Sequence, residues 1–323
     1  MAYEATLYQA EPGVQDYTPE TALTGGKVIA MADGRCGVLP VDVASGALGA
    51  VRCEGIFTLQ KTTGIVFLDG GRVYWDASAS KTYFRTVNDK DFYVGVAVGD
   101  AASSDTTMKV NINVNPYYVL DGLNGPSLSV ATGTIAAGGF DIPKSYGGAK
   151  GLQLTNTNEA QCVDILTVDR VDVAANPIFE AQVRLGANGS SNAVDISFGL
   201  VNGTSTTDAD AITNHVLFHM DGGDLSLFVQ SKDGTTTVAA TDTTLDVTAG
   251  SATANRFELW IDARDITNVK CYVDGVRVLP GTTFVLTAAT GPLGILAHVE
   301  KTSSVATAGP IYIDRLQARI AQK

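Results

Sequence analysis

VRCEGIFTLQK (Val51–Lys61), LDGGRVYWD (Leu68–Asp76) and FYVGVAVGD (Phe92–Asp100) are the runs on which the fold of the first part of this chain turns. Short apolar runs broken by Gly, Asp and Asn are the pattern of compact antiparallel β-structure. The second and third runs are separated by a polar segment, ASASKTYFRTVNDKD. No residue of Val51–Asn115 has the setting of a nucleophile, a metal cage or a phosphate cradle. The stretch reads as one that presents a surface.

Upstream, KVIAM (Lys27–Met31) and CGVL (Cys36–Leu39) flank Ala-Asp-Gly-Arg, and Asp-Gly supplies the positive-φ position of a hairpin. Further strands are expected at Val51–Gln60, Gly64–Leu68, Arg72–Trp75, Tyr93–Val98 and Met108–Val114. Such spacing predicts a small β-barrel or sandwich over residues 27–115. Residues 1–26 are polar and offer little to bury. Two readings of them stay open: a disordered terminus, or an arm that becomes ordered on a partner through Tyr3, Tyr8 and Tyr17. Residues 116–126, PYYVLDGLNGP, read as a linker because Pro, Gly, Asp and Asn crowd into it.

A second β pattern fills residues 127–323. Strands are expected at Leu128–Val130, Gly151–Leu154, Gln161–Thr167, Ile178–Leu185, Val194–Val201, Asn214–Met220, Leu225–Val229, Thr236–Ala240, Arg256–Ile261, Val269–Val273, Val276–Leu279, Gly294–Ala297 and Ile311–Ile320. Alternation is clearest in EAQVRL and RFELWID, where one face is apolar and the other polar. The whole chain is therefore all-β, a small N-terminal barrel or sandwich followed by a two-sheet jelly roll.

Composition narrows the function classes. The chain has 323 residues, 45% of them hydrophobic and 17% charged, which is enough apolar material to fill a core. A net charge of −12 without a basic cluster argues against nucleic acid and anionic membranes as partners. No run approaches a membrane span, and the N-terminus lacks the cationic start and apolar core of a secretory signal, so folding in the cytoplasm is expected. Cys36, Cys53, Cys162 and Cys271 are far apart and none is near His215, His219 or His298 in sequence. Four reduced, mostly buried thiols are the expectation.

Catalysis finds little support in the motifs. A glycosidase needs two carboxylates across the sugar, and Glu159, Glu180, Glu258 and Glu300 are isolated in sequence. There is no G-x-S-x-G, and SYGGAKGL is not a phosphate loop. No cofactor is expected. Calcium is the one metal with candidates, Asp208 with Asp210 and Asp262 with Asp265, set against their reading as turn residues. His215 and His219 share a strand face but have no evident third ligand.

Several spaced motifs carry a resemblance. Asp42, Gly46 and Gly49 form a Gly-rich turn, followed by Gly55-Ile56-Phe57, Gly71–Asp76 and Gly95-Val96-Ala97. Together they resemble the small β domain of tailed-phage capsid cement (decoration) proteins. RFELWIDARDITNVKCYVDGVRV and GPIYIDRLQARI resemble the concanavalin-like (laminin-G-like) jelly-roll sandwich over residues 127–323. The resemblance implies a non-enzymatic virion protein, made in the host cytoplasm and placed on the outer capsid surface. Its partners would be the major capsid protein and two further copies in a homotrimer, with glycans as partners of the outward sandwich. Tyr3, Tyr8, Tyr17, Tyr74, Trp75 and Phe92 are the candidates for the capsid or trimer interface. The alternatives are a tail-fibre or receptor-binding lectin and, more remotely, a sandwich-type glycoside hydrolase.

Overall fold

A computed structural model describes residues 13–124, 127–132, 150–152, 154, 160–185, 194–205, 207–221, 224, 226–246, 256–301 and 311–320. The regular structure is all-β apart from short 3-10 turns, and the chain divides into two compact units, Met1–Tyr117 and Tyr118–Lys323.

In the first unit β1 (Val14–Tyr17), β2 (Val28–Ala30), β3 (Cys36–Val38) and β4 (Gly49–Arg52) form a sheet in the order β1-β4-β3-β2. A second sheet, β5-β9-β8-β6-β7, is built from β5 (Ile56–Gln60), β6 (Arg72–Asp76), β7 (Lys81–Tyr83), β8 (Phe92–Ala97) and β9 (Thr107–Ile112). The expected Asp-Gly hairpin joins β2 to β3, with Gly34 at φ 84° and Met31 N donating to Arg35 O at 2.8 Å.

Three sequence expectations are corrected here. Val51–Gln60 is not one strand: the chain breaks at Cys53–Gly55, and its halves pair in different sheets, β4 with β1 and β5 with β9. Gly64–Leu68 contributes only a bridge, Phe67 to Ala101. Val14–Tyr17, inside the segment read as an arm, is a strand along β4. An edge strand draws its order from backbone bonds to its neighbour, so it needs few apolar residues of its own. The polar strand β7 escapes a hydrophobicity reading for the same reason.

Two residues fix the geometry of this unit. At Gly95 a Cβ would stand 2.1 Å from the carbonyl oxygen of Asn111, so β8 and β9 approach as closely as they do only because that position has no side chain. Asn113 follows β9 in a left-handed conformation, φ 60°, which Asn tolerates better than most residues. Its amide ties the end of the second sheet to the first. Nδ2 donates to Cys36 O at 2.8 Å and Cys53 O at 2.6 Å, and Oδ1 accepts from Cys36 N at 2.8 Å. Beneath it Met31, Leu39, Val43, Val51 and Cys53 form a buried cluster, and burial pushes the Cys36 thiol up to about 12.

The second unit is a jelly-roll β-sandwich. One sheet holds β10 (Leu120–Asp121), β23 (Ile311–Ile320), β14 (Pro177–Arg184), β19 (Arg256–Asp262), β20 (Lys270–Val273) and β21 (Val276–Val278), in that order, with β12 (Lys150–Leu152) also on β23. The other runs β11 (Ser127–Thr132), β13 (Gln161–Thr167), β22 (Gly294–Lys301), β15 (Val194–Val201), β16 (Asn214–Met220), β17 (Ser226–Asp233) and β18 (Thr237–Asp246). Phe179, Ala181, Leu259 and Leu316 from the first sheet meet Ile165, Phe198, Phe218 and Ala297 from the second in one buried core. Between β20 and β21 the Val-Asp-Gly-Val turn has Asp274 at φ 51° and Gly275 at φ 76°, the signature of a type I′ hairpin. Leu120–Asp121 corrects the linker reading, since it pairs with Ala318 and Gln317 and belongs to this unit.

Asp233 anchors one end of the sandwich. Its carboxylate accepts from Thr235 N, Thr236 N, Thr287 Oγ1 and Ala288 N at 2.7–3.2 Å, joining the β17–β18 turn to the segment before β22. Burial works against the charge, but these hydrogen bonds outweigh it and hold the carboxyl below its ordinary value. A folded-state pKa lowered in this way adds stability above the unfolded value of about 3.9, lost as pH falls through the folded one. Asp233→Asn is expected to cost about 2 kcal/mol at pH 7 and much less at pH 3. Urea unfolding at the two pH values checks this; equal losses would refute it.

Candidate functional site

The interface candidates fall into three groups. Tyr3 and Tyr8 lie outside the described residues. Trp75 lies in the core: it is 7% exposed, because alternate positions of β6 point inward with Val73. Tyr17, Tyr74 and Phe92 are half-buried. Tyr74 packs edge-on against Tyr93 with ring centroids 5.5 Å apart, and the Arg72 guanidinium lies 5.8 Å from the Tyr93 ring. A partly open aromatic patch therefore sits on this sheet. Elsewhere in the unit Val41, Leu48, Ile56 and Val87 are each more than half exposed, with Leu48 at 73%.

In the second unit, one sheet face turned away from the core carries a row of polar side chains. Period-two alternation sends Val163, Ile165 and Ala297 into the core and leaves Cys162, Asp164, His298 and Glu300 on the other face. Strand register sets Asp164, His298, Ser197 and His219 opposite one another across β13, β22, β15 and β16. Ala209 and Ile212, from the β15–β16 connection, pack over this face on Leu166, Val201, Leu217 and Leu296.

Within the row Ser197 Oγ is 2.9 Å from His219 Nδ1, and His219 Nε2 is 2.7 Å from Asp221 Oδ1. A serine–histidine–aspartate arrangement has the parts of a nucleophile, but Ser197 is 0% exposed, in mid-strand, and no acyl group reaches it. His215 Nδ1 donates to Ile212 O at 2.9 Å, and burial lowers its pKa. His298 is the opposite case. Burial alone would lower it, but hydrogen bonds with Asp164, Cys162 and Glu300 outweigh burial and hold it well above its ordinary value.

The calcium candidates have other work. Asp262 is paired with Arg264, whose Nη2 is 2.7 Å from Oδ2 and Nε 2.8 Å from Oδ1. Asp265 closes a turn on Thr267 N and Oγ1. Asp208 caps the 3-10 turn at Ala209–Ala211 through Asp210 N, and Asp210 accepts from Gln230.

On the outer face of the other sheet, Glu180 and Glu258 come together with arginines. Arg319 and Tyr118 hold Glu180 at 2.8 and 2.9 Å, while Gln182 and Arg315 hold Glu258. Burial raises Glu258 despite the pull of Arg315. For Glu180 burial is outweighed by the charges of Arg319 and Arg315, and its pKa falls. With their oxygens engaged and both side chains buried, these carboxylates are structural and are not poised across a substrate cleft.

Comparison with known proteins gives two kinds of result. In solved structures the second unit's likeness includes the carbohydrate recognition domain of Emp46p in potassium-bound form, at 14% identity and TM-score 0.42, covering 64% of this chain and 98% of that one. It also includes a glycoside hydrolase family 16 endo-glucanase from Bacteroides ovatus, at 11% and 0.41, covering 59% and 94%. Likeness at this level says nothing of ligand or reaction. No curated protein matches the chain. The first unit is more specific: residues 8–112 match the family model of the phage cement protein.

Proposed function

We propose that this is a capsid cement protein of a tailed phage, acting by binding alone. The match of residues 8–112 to the cement family carries the reading. The first unit docks on the major capsid protein at the outer surface of the head, and three copies bridge neighbouring capsomers. Each copy adds a modest contact, and linkage of three multiplies the effect without any new interaction. The exposed Val41, Leu48, Ile56 and Val87, together with the partly open Tyr74–Tyr93 pair, are side chains of this unit that can supply apolar contact area. The second unit, which begins a few residues past the end of the match, is the part left to face outward for adhesion.

Electron microscopy of virions carrying labelled protein tests the placement. Label at capsomer junctions supports it, and label confined to the tail overturns it in favour of a receptor-binding fibre. Leu48→Asp is expected to lower occupancy on expanded heads by about tenfold, as hot-spot truncations do. Thermal stability should stay within about 0.5 kcal/mol, because the side chain is exposed. Wild-type occupancy would remove Leu48 from the contact.

A further inference from the structure

Three side chains of the polar row converge on one point. Cys162 Sγ lies 3.7 Å from His298 Nδ1 and 3.8 Å from Asp164 Oδ1, and Asp164 Oδ1 shares a hydrogen bond with His298 Nδ1. One sulfur, one nitrogen and one oxygen thus stand within 4.8 Å of one another. Tetrahedral zinc, with bonds of about 2.0–2.3 Å, sets its ligands roughly 3.3–3.6 Å apart. The sulfur is already at nearly that separation from both partners. The imidazole and carboxylate are closer, as a proton between them requires, and a metal ion entering there takes the place of that proton.

Two further observations point to a cation. Asp164 is 1% exposed, yet its Oδ2 has no hydrogen-bond partner among the described residues. A buried carboxylate oxygen left in this state is costly, and an ion beside it removes the cost. On the far side of the ring His298 Nε2 lies 3.1 Å from Glu300 Oε2. Carboxylates placed behind a histidine in this way orient metal-ligating imidazoles. The backbone oxygen of Ser205 approaches Cys162 Sγ at 3.6 Å from the β15–β16 connection and offers a fourth donor.

We propose that Cys162, Asp164 and His298 bind one divalent metal ion of the zinc class, with Glu300 orienting His298. Thiolate and imidazole favour zinc over calcium or magnesium, which prefer oxygen. The role is structural, since Cys162, Asp164 and His298 are 2%, 1% and 0% exposed and leave no face open for substrate. On binding, the thiol proton and the proton shared by Asp164 and His298 pass to solvent. The ion then fastens the β15–β16 connection to the sheet beneath it.

The full-length chain, stripped with a chelator and titrated with Co2+, tests this. The expected result is one ion per chain, with the visible bands of tetrahedral cobalt and a near-ultraviolet thiolate band, both removed by Zn2+. Cys162→Ser should abolish the thiolate band, and Cys271→Ser should leave it. Glu300→Gln lies at the edge of the cluster and does not depend on Cys162→Ser folding; it should weaken cobalt binding about 10- to 100-fold. Zn2+ should raise the melting temperature of the wild type but not of Cys162→Ser. A folded wild-type chain that takes up no cobalt, a thiolate band that survives in Cys162→Ser, or unchanged affinity in Glu300→Gln would each overturn the site.

Discussion

Replacing Arg315 by methionine is expected to destabilise the second unit by about 3–5 kcal/mol at pH 8. Arg315 meets Glu258, which is 0% exposed and otherwise held by Gln182. Losing the guanidinium strands a carboxylate where water cannot reach it, and the stranded charge costs more than the pair contributed. The sign with pH follows from the direction already present. Burial raises the Glu258 pKa in the folded state, so the penalty on its charged form grows as pH rises above the unfolded value. The loss should therefore shrink at pH 5, where Glu258 can protonate. Adding Glu258→Gln to Arg315→Met should recover most of the stability, since the charge goes with its partner. Urea unfolding at pH 5 and pH 8 across the double-mutant cycle measures all of this. A pH-independent loss, or no recovery in the double variant, would show that Arg315 acts through packing alone.

Gly95→Ala should have a comparable or larger effect on the first unit, on the order of 4 kcal/mol or more. The added methyl would sit 2.1 Å from Asn111 O and 2.9 Å from Ile112 Cα, both backbone atoms of β9. No rotamer escapes such a contact, so β8 and β9 must separate. Gly203→Ala is the control, because nothing lies within 4 Å of a Cβ there. Two-step thermal unfolding should show the first unit melting early in Gly95→Ala while the second keeps its transition, and capsid occupancy should fall with the first. Wild-type melting of Gly95→Ala would mean that the two strands have slack the structure does not show.

Strands with a strong apolar pattern were legible from the residues alone. Gln161–Thr167, Val194–Val201 and Asn214–Met220 form over the expected spans, since each is long and almost wholly apolar on its core face. Strands held mainly by backbone pairing, β1, β7 and β10, carried no such pattern and were invisible. The polar row failed to appear for another reason. Asp164 and His298 are 134 residues apart, and only the register of β13 against β22 makes them neighbours. A local trace exists: Cys162-Val-Asp164 and His298-Val-Glu300 each put two polar groups on one side of a strand, with an apolar residue between them. Metal spacing rules written for close pairs in loops do not look for ligands arranged this way.

The amide of Asn113 also decides how the first unit can be excised. The family match stops at residue 112, and a fragment ended there would keep every strand of both sheets. It would lose all three hydrogen bonds by which that amide holds Cys36 and Cys53. It would also lose Val114 O, which accepts from Tyr93 Oη at 2.6 Å. A portable cassette of the first unit for grafting onto another protein therefore has its natural cut after Val114, two residues beyond where the family match ends.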